Sequence, residues 1–175
     1  MFLSDLEDGS SIFVDANIFI YHFSRKSKFN PASTNFLERI EKKEIIGVTS
    51  TLVVQEATHR LMIMDAATNI REIKSKDLVK YLKAHPGIVR KLVDHHSIPE
   101  KIASFNLEIA PPDMDAIIRS QEMKSRFGLL SNDSLTLQIM EDLKINNLAS
   151  NDADFEMVTF IKLYKPSVSV ESSEQ

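Results

Sequence analysis

The sequence predicts an α/β protein with a central parallel sheet. Short apolar runs alternate along the chain with segments of helical period, the pattern of strands joined by right-handed crossovers. A chain of 175 residues that is 43% hydrophobic has the length and the apolar content for one domain with a real core. Acidic residues stand where strands end and helices begin. In parallel sheets that edge, outside the carboxyl ends of the strands, is where sites form.

Each element has a local reason. Ile12 to Val14 reads as a short buried strand ending at Asp15. Thr34 to Lys43 reads as a helix, with Phe36, Leu37 and Ile40 on one face and Pro31 before its start. Ile45 to Val48 is a second strand. Ser50 or Thr51 then caps a helix that carries Val53, Val54, Ala57, Leu61 and Met64. Leu107 to Ala110 is a third strand, stopped by Pro111-Pro112. Asp113 caps the next helix, which carries Met114, Ile117, Ile118 and Met123 and ends near Gly128. A helix over Asn132 to Leu143 and strands at Asn147 to Ala149 and Lys162 to Tyr164 complete the pattern.

Residues 65–103 differ. They are charged, helical in pattern and interrupted by Pro86-Gly87 and Pro99. Leu78, Tyr81 and Leu82 make one apolar stripe; Ile88, Leu92 and Val93 make another. The segment reads as a helical insertion, two helices projecting from the sheet as a clip. Residues 1–168 therefore read as one domain. The acidic, serine-rich tail 169–175 is expected to be disordered.

Composition excludes several chemistries. With no cysteine there is no disulfide, thiolate zinc site or thiol nucleophile. This fits a reducing cytoplasm. The acidic N-terminus is not expected to be a signal peptide, and no run approaches the ~20 apolar residues of a membrane span. A net charge of -4 is unlike that of a generic nucleic-acid binder. Bound divalent cations would offset part of it. Basic residues also cluster at Arg25, Lys26 and Lys28, at Lys74, Lys76, Lys80 and Lys83, and at Arg90 and Lys91; a solvated helix face accounts for most such runs.

Asp15, Glu56, Asp133 and Asp152 all lie at element ends, with Asp154 two residues beyond the last. Any one has a plain structural reading: aspartates cap helices, and Asp133 suits the positive end of a helix dipole. The set asks for more. Glu56 sits among Val53, Val54 and Ala57, where a carboxylate needs a partner. Converging carboxylates repel and raise one another's pKa, and a cation relieves that. Gathered together, they form an all-oxygen cage for Mg²⁺ or Mn²⁺, the chemistry of metal-assisted phosphodiester cleavage.

Four segments carry a resemblance: Phe13-Val14-Asp15-Ala16-Asn17-Ile18-Phe19-Ile20-Tyr21, Val53-Val54-Gln55-Glu56, Leu130-Ser131-Asn132-Asp133-Ser134 and Ala149-Ser150-Asn151-Asp152-Ala153-Asp154-Phe155. In this order they resemble the signature blocks of the PIN domain, and most closely those of VapC-type ribonuclease toxins. The resemblance spans most of residues 12–165 apart from the insertion. It implies a three-layer α/β/α fold and a Mg²⁺- or Mn²⁺-dependent endoribonuclease, the toxin of a toxin–antitoxin pair. Its implied partners are RNA, a small antitoxin and a second copy of the chain. Asp15, Glu56 and Asp133 match the family's metal-site acids. Asp152 and Asp154 compete for the fourth place, with Asp152 favoured. Asn17, Ser150 and Asn151 match polar positions beside the site and are candidates for substrate contact. The insertion departs from compact toxins, and its apolar stripes offer a dimer surface.

Other readings are a PIN-domain nuclease that processes ribosomal or transfer RNA without an antitoxin, and a non-catalytic RNA-binding module. A haloacid-dehalogenase-like phosphatase needs a second aspartate where Asn17 stands. Of the histidines, His59 lies a turn after Glu56 and could bond within the site. His22 reads as packing or surface, and His95-His96 as surface.

Overall fold

The computed structural model describes residues 1–70, 73 and 75–168. Five strands form one parallel sheet: β1 (Ser11–Val14), β2 (Ile46–Ser50), β3 (Glu108–Ala110), β4 (Asn147–Ala149) and β5 (Lys162–Tyr164). Their order across the sheet is β3-β2-β1-β4-β5, with every pairing parallel. The chain passes from one side of β1 to the other between β3 and β4. The crevice of such a sheet opens at that switch, above the carboxyl end of β1, where Asp15 stands.

Helices flank the sheet: α1 (Ala16–Phe23), α2 (Asn30–Glu41), α3 (Thr51–Asn69), α4 (Ser75–Ala84), α5 (Pro86–Val89), α6 (Ile98–Ala103), α7 (Met114–Phe127) and α8 (Ser131–Asp142). The main core joins Ile12, Phe13 and Val14 of β1 to Phe19, Phe36, Leu37, Leu137 and Leu148, all buried. Caps fix where helices start and stop. The Ser50 hydroxyl accepts from the Val53 N–H, and the Asp113 carboxylate accepts from the Ala116 N–H. Gly128, at φ 68°, ends α7 in the left-handed conformation glycine tolerates. Among the described residues, no helix is long and apolar enough to cross a membrane.

The structure departs from the sequence reading in three places. Ala16 to Phe23, to which the sequence reading assigned no element, is a helix, started by Asp15 accepting from the Ala16 N–H at 2.7 Å. α2 begins at Asn30, not Thr34, because Pro31 sits inside the first turn, where its missing N–H costs nothing. The insertion is no free clip. Leu78, Leu82 and Leu92 close a second small core with Ala66, against Met62 and Ile63 of α3, while Ile98 and Ile102 of α6 join the main core. Its apolar stripes are thus largely spent inside the molecule, with Val93 left exposed. Lys74 and the tail 169–175 lie outside the described residues.

Candidate active site

Asp15, Glu56, Asp133 and Asp152 line one cleft of about 300 Å³, together with Asn17, Ile20, Tyr21, Arg60 and Asn151. Each acid arrives by its own element. Asp15 follows β1 and caps α1. Glu56 lies in the second turn of α3, and Asp133 in the first turn of α8, where the helix dipole favours a negative charge. Asp152 follows β4 and accepts from the Asp154 N–H at 3.0 Å, capping a short 3₁₀ turn over Ala153–Met157. Asp154 is exposed and does not line the cleft.

Asp15 is the most tightly held of the acids. Its Oδ2 accepts from the Ser150 hydroxyl at 2.7 Å and from the Asn17 amide at 2.5 Å. Ser150, itself buried, also accepts from the Asn17 amide and from the Asp152 N–H. The Asn17 side-chain Oδ1 accepts from the Asn151 backbone N–H, and the Asn151 side-chain amide donates to the Tyr21 hydroxyl at 3.1 Å. Asn17, Ser150 and Asn151 therefore tie the ends of β1 and β4 together beneath the acids. Glu56 is looser: Arg60 lies 3.5 Å from Oε1, and the Asn132 amide reaches Oε2 at 3.4 Å. Its side chain keeps 29% of its surface exposed, so Asp15, rather than Glu56, is the enclosed carboxylate.

The electrostatics follow from that crowding. Burial raises the Asp15 pKa from 3.8 to about 6, with Glu56 and Asp133 adding to the rise and the Ser150 hydrogen bond opposing it. Asp133 also reaches about 6, through burial first and then repulsion from Asp152, Glu56 and Asp154. Ser150→Ala removes a donor that favours the Asp15 anion, so the Asp15 midpoint should move further above 6. Carboxyl ¹³C NMR across pH 4 to 9 reads that shift, and an unmoved midpoint would show that Ser150 has no hold on Asp15.

One group lies elsewhere than the sequence placed it, and two cleft residues were missed. His59 points away from the cleft and lines an apolar groove with Met62, Ile63 and Val79. His22 pairs with the Thr34 hydroxyl at 2.9 Å and packs edge-on against Phe23 and Phe105. Arg60 carried a signal in its i,i+4 spacing from Glu56. Tyr21 carried none beyond its place in the first block.

The all-oxygen donor set and the raised pKa values fit a hard divalent cation, which would keep the carboxylates ionised. Among the described residues, no three of the His, Asp and Glu side chains stand close enough as placed to form a ligand shell.

Known proteins share this plan. The PIN domain family model matches residues 12–161. Ribonuclease VapC2 of Methanocaldococcus jannaschii is 30% identical over 88% of this chain and 93% of its own length. In fold, the chain resembles the crystal structure of Mycobacterium tuberculosis VapC20, a sarcin-ricin loop cleaving toxin, with a TM-score of 0.56 and 18% identity over 86% of this chain and 96% of that one. It also resembles VapBC2 of Rickettsia felis, bound to a promoter DNA fragment, with a TM-score of 0.56 and 17% identity over 89% of this chain and 98% of that one.

Proposed function

The chain belongs to the PIN domain family, and from that premise we propose that it is a Mg²⁺- or Mn²⁺-dependent endoribonuclease, the toxin of a toxin–antitoxin pair acting in the cytoplasm. The observation that carries the reading is the cleft itself. Four carboxylates line it, two of them with pKa values raised to about 6 by burial first and then by neighbouring carboxylates. A folded protein retains such a cost where a ligand relieves it.

In this reading Asp15, Glu56, Asp133 and Asp152 would hold the cation, with Asp154 contributing from outside the cleft. A cation held there would make the attacking water more acidic and offset charge building on the phosphate. Ser150 and Asn17 hold Asp15 in one orientation through its Oδ2. The Asn132 amide steadies Glu56. Asn17 and Asn151 set the floor on which the RNA backbone lies, next to Tyr21, while Ser150 is fully buried beneath it and holds Asp15 instead of touching substrate. No protein nucleophile is required.

The partners follow from exposed apolar surface. A groove of about 450 Å³, lined by Met62, Ile63, Val79, Leu82 and Val89 and rimmed by Lys83 and Arg90, would seat an apolar helix with an acidic flank from a small antitoxin. For a second copy of the chain, Met114, Ile117 and Ile118 present one exposed face of α7, at i, i+3 and i+4.

The test is incubation with total RNA and Mg²⁺ or Mn²⁺. Discrete cleavage that a chelator abolishes is expected, as is growth arrest on expression that a co-expressed small neighbouring gene product relieves. Cleavage without arrest would instead favour a processing nuclease. RNA binding without cleavage would favour a non-catalytic module.

A further inference from the structure

A nuclease cleft faces an electrostatic conflict. Its acids gather a cation, yet they repel the polyanion that has to approach them. The lining of this cleft answers with a single positive charge. Among the described residues that line it, Arg60 is the one cation, beside Asp15, Glu56, Asp133 and Asp152.

We propose that Arg60 is a substrate-binding residue that grips a phosphate of the RNA strand next to the scissile bond. This rests on the nuclease reading above.

Three features of Arg60 support the assignment. It lies one turn beyond Glu56 on α3, so it projects from the same helix face about 6 Å further along the axis. That places the guanidinium beside the acids rather than among them, where a neighbouring phosphate of a strand lying along the cleft would pass. Its hold on Glu56 is loose. Among the described residues its one ion pair is at 3.5 Å, to one oxygen, and 66% of the Arg60 side chain is exposed. A structural pair would be shorter and bidentate. Finally, a cation shared by the carboxylates would weaken the pull of Glu56 on Arg60. The planar fork would then be free to pair with two phosphate oxygens. Arg60 thus has one partner in the free protein and another in the complex, and the exchange needs only a rotamer change of an exposed side chain.

The role differs from that of the acids. A contact to a flanking phosphate is present in both ground and transition states, so it belongs to binding rather than to the chemical step.

The experiment compares wild type, Arg60→Ala and Arg60→Lys in steady-state cleavage of a short single-stranded RNA. It adds RNA-binding titrations in the Asp15→Asn background over a range of salt. Arg60→Ala should raise KM about tenfold, with kcat held within about twofold. Arg60→Lys should recover part of the loss, since charge without the fork is kept. The slope of log affinity against log salt should become shallower by about one in Arg60→Ala. A loss confined to kcat, or an unchanged salt slope, would overturn the assignment and leave Arg60 as a positioning partner of Glu56. RNA binding without cleavage by wild type would refute the nuclease reading alone, and the salt slope would still decide Arg60. No RNA binding by any variant would overturn both.

Discussion

Asp15→Asn is expected to abolish metal-dependent RNA cleavage while leaving the protein folded. Groups that merely orient metal ligands cost ten- to a hundredfold when removed, so loss of the central carboxylate should cost on the order of a hundredfold or more. Stability should move the other way. The folded Asp15 pKa of about 6 lies above its ordinary 3.8, so its anion is disfavoured by folding. At neutral pH that amounts to on the order of 3 kcal/mol against the metal-free fold. A neutral amide removes that cost and keeps the cap on the Ala16 N–H. Part of the gain is offset because the new amide faces the Asn17 donor. At pH 8, without metal, the variant should therefore melt at or above the wild-type temperature. The two readouts are RNA cleavage by gel and thermal melting by circular dichroism. Undiminished cleavage by the folded variant would remove Asp15 from the proposed site.

Cleavage should also fall steeply as pH drops through about 6. Asp15 and Asp133 both carry midpoints there, each raised chiefly by burial, and Asp133 also by Asp152, Glu56 and Asp154. Protons and cation compete for the same oxygens. With limiting Mn²⁺, two protonations should bring the slope of log rate against pH toward two. The rate at pH 5 should then be about a hundredfold below that at pH 8, and the two midpoints belong to the pair rather than to either residue. Saturating metal should shift the fall to lower pH. The stability of the metal-free protein should run opposite. Both folded pKa values exceed their unfolded ones, so the folded state binds more protons between about 4 and 6. Stability is then greatest below that window and declines as pH rises through it. Added Mn²⁺ should restore stability at pH 8. A rate that is flat from pH 8 to 5, or an apo stability that rises over the same range, would contradict the cluster described here.

Much of this was legible in the sequence. Strands Asn147–Ala149 and Lys162–Tyr164 match their predicted bounds, since short apolar runs between polar turns have one reading. The cap Asp113, and a cap at Ser50 or Thr51 that the structure places at Ser50, were readable because capping is local chemistry. Helix α1 was not. Ile18, Phe19, Ile20, Tyr21 and Phe23 leave few polar positions to mark a period of 3.6, and the run passes for strand. His59 and Arg60 show how a small angle decides a role. On a helix, three residues past Glu56 turns a side chain about 60° to one side, and four turns it about 40° to the other. The cleft lies on the second side.

The sequence by itself determined the parallel α/β plan and put forward the candidate acids, with Asp152 and Asp154 competing for the fourth place, because strand periodicity, caps and motif residues act over a few positions. Only the tertiary structure decided how those acids behave. Ser150 bonds to Asp15 across 135 positions of chain, and Asp133 feels Asp152, Glu56 and Asp154 through space. It also decided that the stripes of the insertion close a core of their own, and that among the described residues Arg60 is the one cation in the cleft lining. Desolvation and Coulomb repulsion depend on distance and burial, which the order of residues does not contain.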